Sequence, residues 1–300
     1  MIIGSKLYRT LQCADSMAWA KQNMATAPDG AVFLADKLTQ AKGRGDRVWK
    51  IYDGQLNVTI LLKPKILHGL SSEDLPIRIN QLNMAVSLGI YDAICHPELD
   101  SGSKFCSVSE KFKEGNGCCV GIKWPNDFVI QNGANPTDVY KKAGGVLFQL
   151  VWEGGIPVGI VCGFAINVNN IFDKSDELFD IATSLAFVSG SNVEMRPLYK
   201  NLLISINNYY KKWLTGNFDE IYKLWRKAQL YLGKSIKIHQ KDGVIITGTM
   251  MQVLPNGDML LIESSGQDRS GNSGTDKSGT DKSGKQKIVS FYMVEQVALN

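Results

Sequence analysis

Four β-rich runs, at 118–123, 127–131, 144–152 and 156–168, follow one another with only polar turns between them. Gly154-Gly155, between the last two, is a hairpin signal, because glycine adopts the positive φ that tight hairpin turns require. A hairpin-rich sheet with helical patterns before and after it predicts an α+β fold rather than a doubly wound parallel sheet. Ahead of these runs, Asp15 or Ser16 can cap a short helix through about Met24, and Ala31–Asp36 and Asn57–Lys63 read as strands. Pro76 suits the first turn of a helix to about Ile94, with Leu82, Ala85, Val86 and Ile90 on one face. Residues 97–117 are polar and irregular and predict an exposed insertion.

After these runs in the chain, Leu198, Leu202, Ile206, Tyr209 and Trp213 form an apolar stripe on a helix from about Arg196 to Leu214. A second helix covers about 218–231 and stops at Gly233. The pattern then changes to short strands at Ser235–His239, Val244–Val253 and Met259–Glu263, separated by Lys241-Asp242-Gly243 and Pro255-Asn256-Gly257-Asp258. This predicts a small antiparallel barrel and a domain boundary near 232. Residues 264–287 carry no aliphatic or aromatic side chain and contain Ser-Gly-Thr-Asp-Lys twice, so they cannot bury apolar surface and predict a mobile loop. A strand-like pattern resumes over 288–297 and is expected to close the barrel.

The chain of 300 residues is 44% hydrophobic and 21% charged, an ordinary globular composition with material for a large core. A net charge of +4 suits an anionic small molecule or an acidic protein partner and is too small to argue for nucleic acid. The six cysteines form no Cys-x-x-Cys pair and the three histidines are scattered, which argues against a zinc site and for free thiols in a reducing compartment. With no apolar segment after Lys6 and Arg9 to make a signal peptide, and no run of about 20 apolar residues, the expected location is the cytosol, without a membrane.

Four segments carry chemistry. Lys42-Gly43-Arg44-Gly45-Asp46-Arg47 places three cations on a glycine-rich loop, expected to order over an anionic substrate and exclude water. Lys123-Trp124-Pro125-Asn126-Asp127 turns a strand and offers hard oxygen ligands of the kind Mg²⁺ takes alongside phosphates. Lys142 is read as starting the next strand, with Ala143-Gly144-Gly145 leaving room for a ligand beside it. Gly163 and Ala165 are expected to keep one face of the last strand open, with the amide of Asn167 available for hydrogen bonding. Singly, each also reads as a solvated basic turn, an Asx turn, a surface lysine or a closely packed strand.

In their order along the chain, these segments resemble biotin protein ligases, also called holocarboxylase synthetases, from about Leu11 to Glu263 and again from Ile288. Lys123 to Asp127 is highly specific to that family, and Lys42-Gly43-Arg44-Gly45 is nearly as telling. The family's Lys-x-x-Gly-[Ile/Val]-Leu strand is met by Lys142, Gly145, Val146 and Leu147, and its Gly-x-Gly-x-Asn strand by Gly163, Ala165 and Asn167. The resemblance implies a catalytic domain related to class II aminoacyl-tRNA synthetases over 1–232 and an SH3-like domain over 233–300. It implies that biotin and MgATP give biotinyl-5′-AMP and pyrophosphate, and that a lysine of a biotin carrier domain then takes the biotin. Lys42, Arg44, Lys123 and Lys142 are the implied catalytic cations, and Asp127 and Asn126 the implied magnesium ligands. Asp15, Ser16, Met17, Gln40, Gly43, Gly45, Arg47, Trp49, Trp124, Gly144, Gly145, Gly163, Ala165 and Asn167 are implied around biotin and the adenylate.

The chain departs from the family pattern at Asp15, where serine is usual, at Leu38, where many members carry a glutamine and Gln40 stands nearby, and at Ala41, where the loop usually begins with glycine. Because the sequence starts at the catalytic domain, the expectation is a ligase without a DNA-binding domain, monomeric or homodimeric as family members are. The rival readings are a lipoate– or octanoate–protein ligase of the same fold and a non-catalytic biotin- or carrier-binding module.

Overall fold

The computed structural model describes residues 1–45, 47–95, 105–107, 118–131, 140–263 and 285–299. These fall into two compact units, Met1–Leu230 and Tyr231–Asn300. Among the described residues no helix is long and apolar enough to cross a membrane.

The first unit is built on an eight-stranded mixed sheet. Its strands are β1 (Leu7–Cys13), β2 (Ala31–Leu38), β3 (Gln55–Leu62), β4 (Phe105–Ser107), β5 (Cys118–Lys123), β6 (Asp127–Gln131), β7 (Tyr140–Glu153) and β8 (Ile156–Asn167). They lie in the order β1-β2-β3-β8-β7-β6-β5-β4. The central pairs are antiparallel, as the hairpins predict, while the outermost pairs β1–β2 and β4–β5 are parallel. The helices are α1 (Ser16–Gln22), α2 (Asp74–Cys95), α3 (Leu185–Ser189), α4 (Met195–Leu214) and α5 (Phe218–Lys227). The fold class is therefore α+β.

Local chemistry explains the helix ends. The Asp15 carboxylate accepts from the backbone N–H groups of Met17 and Ala18 at 2.8 and 3.1 Å, satisfying donors that an uncapped first turn would leave orphaned. At α2, Ser71 Oγ accepts from the Asp74 N–H and donates to the Asp74 carboxylate, a reciprocal cap that starts the helix two residues before Pro76. The last helix stops at Lys227, short of the expected 231. Ala228 O accepts from Ile122 N, and Leu230 N donates to Ile122 O, so the edge of β5 recruits the backbone that would have continued the helix.

Other expectations are corrected. Leu7–Cys13, read only for the lack of a leader, is an edge strand. The 97–117 segment contains β4, and its other residues lie outside those described. Lys142 is the third residue of β7, which begins at Tyr140, so it does not start a strand.

Helix α1 covers part of one sheet face. Met17, Ala20 and Met24 pack with Phe33, Leu61, Val151 and Val161 in one buried cluster. Residues opposite one another in a pleated pair point to the same side. On the other side, Phe128, Val146, Phe164 and Ile166 are all buried, and α2 packs against β5 and β7, with α4 along it.

The second unit is a five-stranded antiparallel sheet of β9 (Ser235–Gln240), β10 (Ile245–Val253), β11 (Met259–Glu263), β12 (Gln286–Val289) and β13 (Val294–Leu299), in the order β12-β11-β10-β9-β13. The expected single strand over 288–297 is two, divided by a 3₁₀ turn at Phe291–Met293, where Phe291 N donates to Asp258 Oδ1. Gln286 and Lys287, read as loop, belong to β12, and the rest of the expected loop, 264–285, lies outside the described residues apart from Lys285.

Candidate active site

Register builds the site. On one sheet face, Lys123 lies opposite Asp127, Asp127 opposite Gly145, Gly145 opposite Ala165, and Ala165 opposite Asn57. A row of cation, carboxylate and small residues therefore crosses five strands. Lys142 joins it through a β-bulge. Val129 pairs with Lys142 and Phe128 with Gly144, so Ala143 is an extra residue on β7. The bulge brings Lys142 onto the same side as Gly145, although three positions separate them. Lys142 Nζ reaches Asp127 Oδ1 at 2.7 Å, and a side chain at Gly145 would begin 3.2 Å from that oxygen.

Backbone bonds fix the position of Lys142. Its N–H donates to Ile181 O at 2.8 Å and its carbonyl accepts from Thr183 N at 2.9 Å. Asn167 Nδ2 also donates to that carbonyl, while Asn167 Oδ1 accepts from Gln55 Nε2 at 2.9 Å. The Asn167 amide thus holds Lys142 and Gln55. The Lys142–Asp127 pair is partly exposed, so its net worth to stability is about 1 kcal/mol or less; its consequence is placement.

The described residues of the loop, 41–45 and 47–49, pair as a small hairpin. Trp49 N donates to Ala41 O and Gly43 N to Arg47 O, Lys42 bridges Val48, and Gly45 turns the tip with a φ of 67°. Trp49, at its exit, lies under Lys142 Nζ, 5.2 Å from the ring centre, a cation–π contact. Burial lowers the Arg44 guanidinium below its ordinary value, the Asp127 charge opposing and Arg47 adding to the shift. Burial likewise lowers Lys123, again opposed by Asp127 and reinforced by Lys142 and Arg47. Arg44, Lys123 and Lys142 therefore all feel the charge of Asp127, and Arg47 acts on Arg44 and Lys123. Lys42 is turned toward Asp15 Oδ2, at 3.8 Å.

Asn126 is locked to β7: its Nδ2 donates to Val146 O, and Val146 N donates to Asn126 O at 3.1 Å. Trp124 is buried, its peptide bond to Pro125 is cis, and Asn83 Nδ2 donates to Pro125 O. Among the described residues no three His, Cys, Asp or Glu side chains gather to hold a metal.

At the α1 end, Ser16 Oγ is buried against Thr59 Oγ1 at 2.8 Å. Gly163 does not leave its face open. A Cβ there would come 2.7 Å from Met17 Sδ, so Met17 fills the space. Gly144 faces the other way, where a Cβ would stand 2.6 Å from Ala165 O. Gln40 is exposed and bonded through its N–H to Ala14 O.

Sequence reasoning missed Thr59, Gln55, Tyr52 and Asp176. Tyr52 Oη donates to Asp176 Oδ2 at 2.6 Å across 124 residues of chain, a distance over which spacing carries no signal.

Residues 9–167 match the sequence model of the Biotin/lipoate A/B protein ligase family. Similar proteins include the bifunctional ligase/repressor BirA of Bacillus spizizenii and of Bacillus subtilis, each 28% identical over 243 residues, 80% of this chain and 64% of the relative. The chain thus spans a little under two thirds of the length of those relatives. Among solved structures, a biotin protein ligase from Aquifex aeolicus in complex with biotin and ATP superposes with a TM-score of 0.68 at 22% identity, covering 99% of this chain and 100% of that one. A biotin protein ligase-like protein of unknown function from Silicibacter gives 0.58 at 14% identity, covering 96% and 94%. At these identities the likeness shows a shared fold.

Proposed function

The chain belongs to the biotin/lipoate A/B protein ligase family, and from that premise we propose that it is an ATP-dependent biotin–protein ligase. The observation that carries this reading is the gathering of Arg44, Lys123 and Lys142 around Asp127, beside Gly145, where a side chain would crowd Asp127 and Lys142. Two anions must meet in this reaction, a carboxylate and a triphosphate. Fixed cations lower their repulsion and stabilise the charge that builds on the α-phosphate, without reorganising at the moment of reaction. The biotin carboxylate oxygen bonds to the α-phosphorus, and pyrophosphate leaves. In the second step a carrier lysine amine attacks the acyl carbonyl, forming the amide and releasing AMP.

The residues have separate tasks. Lys142, fixed by its backbone, faces the reacting phosphate; Arg44 and Lys123 flank it, and Arg47 adds charge from the loop. Trp49 and the 41–49 hairpin cover the mixed anhydride and exclude water. Asp15, Ser16 and Met17 with Gln40 form the biotin end, Gly163, Ala165 and Asn167 its floor, and Trp124 the rigid wall.

A magnesium ion fits as an ion shared with phosphates, which needs only one or two protein oxygens: Asp127 offers its carboxylate, and Asn126, pinned through its nitrogen, keeps Oδ1. Bound there, it would neutralise phosphate charge and favour departure of pyrophosphate. The acceptor is a biotin carrier domain, the C-terminal sheet is read as an SH3-like domain beginning near 233, and the place of action is the cytosol.

The test is ATP–pyrophosphate exchange with biotin, lipoate and octanoate in parallel, followed by transfer of labelled biotin to a carrier domain. Biotin alone should support exchange. Exchange with lipoate or octanoate and none with biotin would move the protein to the other branch of its family.

A further inference from the structure

The exit of the 41–49 hairpin does not run free into β3. Asp176, whose side chain is only 12% exposed, gathers it. One carboxylate oxygen accepts from Tyr52 Oη at 2.6 Å; the other lies 3.2 Å from Lys50 Nζ and accepts from the backbone N–H of Leu178 at 2.9 Å. The Tyr52 ring packs edge-on against Phe172, with centroids 5.0 Å apart, and Lys50 Nζ lies 5.4 Å from the Tyr52 ring centre. Downstream of Asp176 the same segment reaches the site. Lys141 Nζ donates to Phe179 O at 2.7 Å, and Ile181 and Thr183 hold the backbone of Lys142. Trp49, the residue before Lys50, lies against Lys142. The contacts close into a ring, from the hairpin exit through Asp176 and 178–183 to Lys142, and back through Trp49.

We propose that Asp176 is a positioning residue: through Tyr52 and Lys50 it fastens the exit stem of the 41–49 hairpin to the 172–183 segment, and so holds Trp49 on Lys142. Both segments lack regular secondary structure; Gln55 holds the stem through Lys50 O and Tyr52 N, and Gly54 O accepts from Asn169 N at 2.8 Å. To these the phenol–carboxylate hydrogen bond, backed by an ammonium and a backbone N–H, adds the tie to 176–178. The link from Asp176 to catalysis rests on the ligase reading; the tether does not.

The experiment has two readouts. The first, on the ligand-free chain, is the initial rate of tryptic cleavage after Arg44 and Arg47, followed by mass spectrometry. The second is release of preformed adenylate from the enzyme. Asp176→Asn and Tyr52→Phe should each raise both rates about tenfold, the effect of losing one charge-assisted hydrogen bond. Asp176→Glu should return them toward the original values, and thermal midpoints should stay close together. Tyr52→Phe removes a single oxygen and keeps the test alive if Asp176→Asn fails to fold. Unchanged cleavage in the variants overturns the tether, whatever their activity. Faster cleavage with unchanged adenylate release overturns the positioning role. A wild-type protein without biotin-dependent exchange defeats the ligase reading, and cleavage still decides the tether.

Discussion

The two sides of the central sheet are made by the same strands and do opposite work. On β8, Phe164 and Ile166 are 3% and 0% exposed and belong to the core, while their neighbours Ala165 and Asn167 lie on the side of the candidate site, where Met17 covers Gly163. On β6, Phe128 points into the core and Asp127 into the site. One side tolerates little change in volume, because interiors are close-packed. On the other, beyond the buried α1 cluster, the site is defined by charge and by what it leaves out. The difference teaches that stability and chemistry are written here at alternate positions, so the two should be separable by mutation.

The sharpest way to break this comparison is Phe128→Ala. Removing a fully buried aromatic should cost about 3–5 kcal/mol of stability, measured by urea denaturation, with loss of activity only in proportion to unfolding. A smaller loss would show that the core side relaxes more than its packing implies. Next comes Lys142→Met, which keeps length and removes charge. Adenylation should fall about 10²–10³-fold, while the denaturation midpoint moves by no more than a partly exposed ion pair can account for, about 1 kcal/mol. A large stability loss would mean that Lys142 is structural. The smallest effect is expected from Gly163→Val, which crowds Met17. Overpacking should cost about 1–3 kcal/mol and weaken biotin more than ATP, read as a rise in the KM for biotin. Equal effects on both substrates would show that α1 does not belong to the biotin end.

Much of the core side was legible in sequence. The period of four and three in Leu198, Leu202, Ile206, Tyr209 and Trp213 gave α4, and the strands β5 to β8 followed from β-rich runs joined by polar turns, with Gly154-Gly155 marking the last hairpin. Edge strand β1 was not, because Leu7 and Leu11 are exposed and Arg9 lies between them, so no buried stripe marks the strand. On the site side, the residues could be named but not their contacts. Nothing in Gly163-Phe164-Ala165 says that Met17, far upstream, fills the gap. Asp176 sits in a polar stretch that reads as solvated loop, and its partner Tyr52 is distant in sequence. Local chemistry is visible in sequence; partners brought together by sheet order are not.

The bulge at Ala143 has a consequence for how this site can be lost. Were the same residues laid out without the bulge, the three positions from Lys142 to Gly145 would follow the regular pleat and turn the lysine side chain into the apolar interior, with every residue type of the site still in the chain. The arrangement is stored partly as a count of residues, a phase rather than a composition. Scanning by substitution, however complete, leaves that count untouched; single-residue deletions and insertions along β7 are the changes that would read it.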